Sequence, residues 1–357
     1  MELIASAPGK LVLLGEYAVL EGAHALVLAV NRRAKVRVAA RNDGLCVANA
    51  PDLGMLDARM SIAADGRLHW LCAEADAGKL RLVDHVWQGL LEEGLAPPTN
   101  AGFCLDLDTA GFFEAVGANR AKLGLGSSAA LAVALASALA VFAGHGDAVA
   151  DQPSWLRRLL RMHGNWQDGR GSGIDVAASL TGGLIAYRCS GQNARPHVTP
   201  LDWPVVGVHC LFVWSGQAVS TVDFLRRLAQ WRLDHQAEYA AHMRDLGALA
   251  EVATVALQQG RGADYVQMVA RYATALRNFG AATGLEIFSP AHKRLADIVA
   301  SAGASYKPCG AGGDFGVVVA EDADRLARIE RRILDQGLQS KPLALDPQGF
   351  TCAIDLT

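Results

Sequence analysis

The sequence predicts an α+β fold in two domains, and three observations lead to that prediction. The chain has 357 residues, a length that suits about two domains of ordinary size. Apolar residues make up 51% of the chain and charged residues 19%, which favours large cores over disorder. Strand-like and helix-like segments follow each other in blocks, without the strict alternation of a parallel α/β sheet.

The first half of the chain begins with strands and continues with helices. Short apolar runs separated by glycine and asparagine predict strands at residues 3–7, 11–14, 25–30 and 34–40. Apolar residues at helical spacing predict a helix over 80–93, and alternation predicts a strand over 102–108. Further predicted elements are an alanine-rich helix from about Ser128, helices over 155–166 and from 174 or 175, and a strand over 183–188.

The second half begins after a polar, proline-marked stretch at 193–204, where the sequence predicts the domain boundary. The two predicted domains therefore span residues 1–200 and 201–357. A strand is predicted over 205–214, followed by long helices near 222–250 and 263–279 and a shorter helix over 289–301. The predicted end of the chain is a strand over 315–320, a helix over 323–336 and a strand around 351–354.

Composition excludes several classes of function. Lys and Arg total 33 against 36 Asp and Glu, so the net charge of −3 leaves no basic surface for nucleic acid. The 7 cysteines are isolated from one another, which argues against a disulfide framework or a zinc site and favours the cytoplasm. The N-terminal residues lack the order of a signal peptide. Residues 123–144 are uncharged and long enough to span a bilayer, but their alanine content favours a buried helix and no membrane.

The segment Lys122-Leu-Gly-Leu-Gly-Ser-Ser-Ala-Ala130 at the start of a helix is the central candidate site. Glycines let backbone N–H groups surround an anion, and a helix N-terminus adds partial positive charge, so the segment suits a nucleotide polyphosphate. A tight turn entering a buried helix remains an alternative. A dinucleotide fingerprint fits less well because no early βαβ unit is predicted. A hydrolase elbow lacks its last glycine.

Two further glycine-rich segments accompany it. The first is Pro8-Gly-Lys10 through Gly15-Glu-Tyr17, in which the lysine is either solvated or directed into a cleft. The second is Lys307-Pro-Cys-Gly310-Ala-Gly312-Gly-Asp-Phe-Gly316, which taken alone is a tight turn before a buried strand. No G-x-x-x-x-G-K-[ST] motif occurs, so an ordinary P-loop kinase is excluded.

Together the three segments resemble the superfamily of galactokinase, homoserine kinase, mevalonate kinase and phosphomevalonate kinase, the GHMP kinases. The order P-G-K-x-x-x-x-G-E, G-L-G-S-S-A and G-A-G-G is that of the superfamily. The resemblance implies ATP and Mg²⁺ as cofactors, an N-terminal domain like ribosomal protein S5 domain 2, a ferredoxin-like C-terminal domain, and a site between them.

Within the superfamily the chain is most similar to the phosphomevalonate kinases. Tyr17 stands where mevalonate kinases usually have histidine, and Lys122 precedes the central motif as in the phosphomevalonate kinases. The run from His163 to Asp175 also fits, although Gln167-Asp-Gly stands where that family has Q-G-K. That departure keeps a related kinase open, acting on mevalonate, another mevalonate phosphate or a sugar.

The resemblance implies a set of site residues. The catalytic residues would be Lys10, Lys122 and Asp175. The ATP phosphates would bind at Gly124, Leu125, Gly126, Ser127, Ser128 and Ala129, with Ser128 as a Mg²⁺ ligand. The acceptor would bind at Tyr17, Ser172, Ser220, Thr221, Gly310, Ala311 and Gly312. From local sequence alone, Asp175 is equally an N-cap residue of its helix.

The sequence therefore predicts ATP-dependent phosphoryl transfer to 5-phosphomevalonate, giving 5-diphosphomevalonate. A related small-molecule kinase and a non-catalytic metabolite-binding relative remain as alternatives. The expected partner is a small-molecule phosphoacceptor, and a homodimer stays open as the assembly.

Overall fold

The computed structural model of the chain describes residues 2–116, 119–166, 171–189, 195–203, 206–216 and 221–355. Its strands are β1 (Glu2–Leu14), β2 (Ala25–Ala40), β3 (Cys46–Ala50), β4 (Met55–Ile62), β5 (Leu68–Trp70), β6 (Phe103–Asp108), β7 (Phe113–Val116), β8 (Asn119–Lys122), β9 (Leu184–Arg188), β10 (His197–Leu201), β11 (His209–Trp214), β12 (Ser305–Pro308), β13 (Phe315–Ala320), β14 (Gln339–Lys341) and β15 (Thr351–Asp355). Its helices are α1 (Glu74–Ala77), α2 (Arg81–Glu92), α3 (Ser127–Phe142), α4 (Gly146–Ala150), α5 (Gln152–Trp166), α6 (Ile174–Thr181), α7 (Thr221–Asp234), α8 (Gln236–Gln258), α9 (Gly262–Thr283), α10 (Pro290–Ala300) and α11 (Ala323–Asp335). The α+β class is confirmed.

The strands of the described residues form three sheets. The large sheet follows the path β10-β9-β2-β6-β3-β4-β5, with β1 paired to both β2 and β15. An antiparallel sheet has the order β12-β13-β11-β14, and β7 and β8 form a small ribbon. Because β15 pairs with β1, the end of the chain lies in the same sheet as its beginning. The division into 1–200 and 201–357 stays a prediction.

The strand β1 is longer than the sequence predicts. Pro8 and Gly9, which separate the predicted strands 3–7 and 11–14, lie inside β1 at a register shift in its pairing with β2. Proline has no N–H to donate to a ladder, so an irregularity at this point is expected, but the predicted division into two strands is wrong. A Cβ at Gly9 would lie 2.6 Å from the carbonyl oxygen of Leu125, so glycine allows β1 to approach the central loop closely.

The alanine-rich helix α3 is a core helix, as predicted. It is buried around almost its whole circumference and packs against β1, β2, α2 and α6. A helix that is hydrophobic on all sides needs such surroundings, and small alanine side chains let neighbours approach on every side. Among the described residues, no helix has the length and apolar character needed to cross a membrane.

The helices of the second half cover two surfaces. Apolar side chains of α8 and α9 share a core with residues of β1 and β2, on the opposite side of the large sheet from the core around α3. Helices α10 and α11 pack against the sheet β12-β13-β11-β14. The single helix predicted over 222–250 is wrong, because His235, with φ −128° and ψ 41°, separates α7 from α8.

Candidate active site

The central glycine-rich segment forms a loop between β8 and α3. Gly124 and Gly126 have φ of 68° and 77°, values that glycine adopts without steric cost. Gly126 is the N-cap of α3, and no side chain caps the helix within the described residues. The first turn, with buried Ser127 and half-buried Ser128, therefore has N–H groups available to an anion.

Lys10 and Asp175 flank this helix start. The backbone N–H of Lys10 donates to the carbonyl oxygen of Leu125 at 2.8 Å, which fixes β1 against the loop. A Cβ on Gly126 would lie 3.2 Å from both Cγ and Cε of Lys10 and 3.6 Å from Cβ of Asp175. The structure thus brings these two predicted catalytic residues together at Gly126.

Asp175 lies in the first turn of α6. The N-cap of that helix is Gly173, so the alternative that Asp175 serves as the N-cap is wrong. Asp175 is half-buried, and its Oδ1 accepts the N–H of Val176 at 3.2 Å. Nearby, the carbonyl oxygen of Ser172 accepts the hydroxyl of Tyr187 at 2.8 Å, which positions the backbone before α6.

Lys122 and Asp314 meet on the other side of the loop. The carboxylate of Asp314 packs directly against Gly124, where any Cβ would overlap it. The surrounding protein atoms lower the pKa of Lys122, and the charge of Asp314 acts to raise it. The sequence analysis did not select Asp314, although the residue directly follows the last glycines of the third motif.

The third glycine-rich segment approaches the first one. The hydroxyl of Tyr17 donates to the carbonyl oxygen of Ala311 at 2.6 Å, and Tyr17 itself has an unusual φ of 61°. Gly312 has φ of 104°, and a Cβ there would lie 2.7 Å from the carbonyl oxygen of Ile287. The predicted acceptor residues Tyr17, Gly310, Ala311 and Gly312 therefore lie together.

A buried ion pair supports that contact. Glu16 is 3% exposed and Lys307 is 0% exposed, and their side chains form a salt bridge. The N–H of Gly310 donates to Oε1 of Glu16 at 3.2 Å. Burial raises the pKa of Glu16, while Lys307 acts to lower it. Both residues belong to quoted motifs, but only their pairing in space gives them a role.

Tyr272 of α9 extends the same network. Its hydroxyl accepts the N–H of Gly15 at 3.1 Å and donates to the carbonyl oxygen of Glu16 at 3.0 Å. Nothing in the local sequence around Tyr272 predicts these hydrogen bonds to Gly15 and Glu16. Of the remaining predicted residues, Ser220, the side chain of Thr221 and the stretch 167–170 lie outside the described residues.

Comparison with known proteins fits this arrangement. Residues 113–183, which include the central loop, α3 and Asp175, match the model of the GHMP kinases N terminal domain. The chain thus carries the N-terminal domain of the GHMP kinases over these residues. The resemblance found in the sequence is confirmed, and with it the α+β architecture of that family.

The proteins to which this chain is similar include two kinds of kinase. A phosphomevalonate kinase of Streptomyces sp. (strain CL190) is 28% identical over 382 residues, covering 98% of each chain. A mevalonate kinase of Aeropyrum pernix is 28% identical over 298 residues, covering 79% of this chain and 78% of its own. The solved Streptococcus pneumoniae phosphomevalonate kinase in complex with phosphomevalonate and AMPPNP superimposes with a TM-score of 0.74 at 18% identity, covering 96% and 99% of the two chains. This last likeness concerns the fold.

Proposed function

We propose that this chain transfers the γ-phosphoryl group of ATP to 5-phosphomevalonate, giving 5-diphosphomevalonate and ADP. The observation that carries the proposal is the convergence of Lys10 and Asp175 on Gly126 at the start of α3. The choice of acceptor is supported by similarity to a phosphomevalonate kinase along nearly the whole of both chains.

The loop 124–129 is the proposed site for the ATP phosphates. Its positive-φ glycines and the uncapped first turn of α3 offer backbone N–H groups and a favourable dipole. The hydroxyl of Ser128 makes no hydrogen bond to another described residue, so it is available as an oxygen donor.

The described residues at the start of α3 suit a Mg²⁺ ion whose other ligands are phosphate oxygens and water. Such a site needs only one or two protein oxygens, and Ser128 and the Asp175 carboxylate both lie at this helix start. No cluster of three or more acidic, histidine or cysteine ligands occurs among the described residues, which agrees with a phosphate-dependent site. The ion, when bound, neutralises charge on the phosphates.

In this proposal the acceptor binds at Tyr17, Ser172, Gly310, Ala311 and Gly312. Ser220 and Thr221 belong to the same proposed acceptor site. An oxygen of the acceptor phosphate would attack the γ-phosphorus, and the bond from that phosphorus to the β–γ bridging oxygen would break, releasing ADP.

Charge neutralisation is the main task of the protein in this reaction. A phosphomonoester with a second pKa of about 6 is mostly dianionic at pH 7, so it needs no general base. Lys10 and Lys122 offset the repulsion between the acceptor phosphate and ATP, while Asp175 acts electrostatically on Lys10 and the bound cation. Two lysines at the junction of two phosphates suit this acceptor better than a neutral alcohol.

Release of ADP by the purified chain tests the proposal. With Mg-ATP we expect turnover on 5-phosphomevalonate and none on mevalonate or galactose. Turnover on another acceptor alone would contradict the acceptor assignment and leave the kinase in place. Absence of turnover on all three compounds would contradict both the acceptor assignment and the kinase activity, provided that circular dichroism shows a folded chain.

A mevalonate kinase is the second candidate, since a mevalonate kinase relative covers most of this chain. An alcohol acceptor must lose its proton, so a carboxylate base gains importance in that reaction. The variant Asp175→Asn discriminates between the two when it is assayed on the acceptor that the wild type uses. Near-complete loss of kcat would mark Asp175 as the base of an alcohol kinase, whereas a partial loss would fit an electrostatic role on a phosphate acceptor.

A further inference from the structure

A cavity lies between the 3-10 helix Ala18–Glu21 and helices α7 and α8. Its volume of about 710 Å³ falls within the range of about 300–1,000 Å³ that is usual for small-molecule sites. The polar and charged part of its lining includes Glu21, Arg232, Gln236, Tyr239 and Arg244. No described residue of the candidate active site lines it.

One wall of the cavity is an ordered cluster around Glu21. Nη1 of Arg232 donates to Oε1 of Glu21 at 2.7 Å, and the hydroxyl of Tyr239 donates to the same oxygen at 2.8 Å. The guanidinium group of Arg232 also stacks over the Tyr239 ring at 4.4 Å. Arg232 is therefore held in place, with its charge matched by Glu21.

Arg244 adds a positive charge to the lining that has no carboxylate partner among the described residues. It lies on α8, is exposed, and forms no hydrogen bond or ion pair with another described residue. Against Glu21, the two arginines leave one net positive charge among the described residues of the lining. Planar guanidinium groups recognise phosphates and carboxylates by paired hydrogen bonds, so the charge favours an oxyanion.

The rest of the lining is small and apolar. Ala18, Ala23, Ala240 and Met243 contribute aliphatic surface. At Gly247, an added Cβ would lie 3.1 Å from Cβ of Ala23, so α8 and the segment after the 3-10 helix approach closely at that end. A ligand that fills this space needs an apolar body as well as a charged group.

We propose that this cavity is a second ligand site that binds a small organic oxyanion, a phosphate or carboxylate on a short apolar body. Arg244 and Arg232 hold the oxyanion, and the alanine-lined surface of α8 contacts the apolar body. The proposal concerns binding and does not depend on which acceptor the kinase uses.

Calorimetric titration of the full chain with hexyl phosphate and with hexanoate tests the site. We expect at least one of them to bind, and Arg244→Gln to weaken its binding by about tenfold, since a charged hydrogen bond is lost. The matched control is Arg331→Gln, an exposed arginine on α11, which should bind as the wild type does. Equal affinity in Arg244→Gln and the wild type, or no binding of either compound, would overturn the proposal.

A second variant and two further probes separate this site from the phosphate loop. Ala248→Glu places a carboxylate at an exposed position of the cavity lining and should repel the anion without disturbing the fold. Lys10→Met should leave binding unchanged. Loss of binding in Lys10→Met with retention in Ala248→Glu would place the anion in the phosphate loop instead. Hexanol and inorganic phosphate each carry only one of the two proposed features, the apolar body or the oxyanion. If either binds as tightly as hexyl phosphate, the site does not require both features, and the proposal is overturned.

Discussion

Side chains from distant parts of the sequence meet at the start of α3. Lys10 comes from β1 and Asp175 from α6, and both lie against Gly126, while Asp314 lies against Gly124. The first two could be predicted because glycine-rich motifs surround them. Asp314 could not, since an aspartate after a glycine turn has no local pattern that distinguishes a site residue from a solvated one.

Removal of the Lys10 charge should impair phosphoryl transfer. We expect Lys10→Met to lower kcat by about 10²–10³-fold, the usual effect of deleting one preorganised charge-stabilising group. Initial rates of ADP release measure it. Lys35→Met, at an exposed position of β2, is the control and should leave kcat unchanged. A wild-type kcat in Lys10→Met would exclude the proposed role.

Asp314 should influence the ionisation of Lys122. Surrounding protein lowers the Lys122 pKa and Asp314 acts to raise it, so Asp314→Asn should lower that pKa further. Lys122 would then lose its proton at lower pH, and the alkaline limb of the kcat profile should move toward neutral pH. A pH series on Asp314→Asn, with exposed Asp324→Asn as control, checks this. An alkaline limb that stays in place would show that Asp314 does not act through Lys122.

At the scale of elements, helices were easier to predict than strands. The α3 region was recognisable because an uninterrupted alanine-rich apolar run is typical of a buried helix. The strands β3, β4 and β5 were missed, since their short lengths and the polar residues among them obscure alternation. Likewise, β1 continues through Pro8 and Gly9 because β2 supplies a partner on both sides of the irregularity.

Two glycines at the two ends of α3 allow the effect of backbone strain to be separated from the effect of side-chain crowding. Gly126 and Gly144 both have positive φ, of 77° and 90°, but only Gly126 has neighbouring side chains within 4 Å. Each substitution to alanine should destabilise the fold by about 1–2 kcal/mol, the cost of a left-handed conformation for a residue with Cβ. Only Gly126→Ala should also displace Lys10 and reduce ADP release. Urea unfolding and initial rates measure the two effects, and equal losses of activity would argue against the crowding explanation.

At the scale of the whole molecule, one buried ion pair joins the first and third motifs. Glu16 and Lys307 lie far apart in sequence, and the Glu16 carboxylate also accepts the N–H of Gly310. Tyr272 of α9 ties the backbone on both sides of Glu16 to the same network. The position of the glycine turn 310–312 relative to Tyr17 therefore depends on contacts between the two halves of the chain.

Breaking this pair should destabilise the protein in a pH-dependent way. Lys307→Met leaves a buried carboxylate without its counter-charge, so we expect a loss of about 3–5 kcal/mol in the free energy of unfolding. Without Lys307, which acts to lower it, the Glu16 pKa should rise further. The folded variant then binds a proton that the unfolded chain releases, so its deficit should shrink as pH falls and grow as pH rises.

Urea unfolding at several pH values measures this effect. The double variant Glu16→Gln with Lys307→Met removes both charges and should recover part of the stability. A deficit in Lys307→Met that does not change with pH, or no recovery in the double variant, would show that packing and not charge dominates at this position.

The sequence by itself determined the α+β class, the buried α3 helix, the family resemblance and the glycine-rich segments, because each depends on residues that are close together in the chain. Tertiary structure alone decided the rest. The pairing of β15 with β1, the contact of Asp314 with Gly124, the Glu16–Lys307 pair and the cavity beside Arg244 all join residues that are distant in sequence. Their geometry is set by how the sheets and helices pack, which no local pattern of residues encodes.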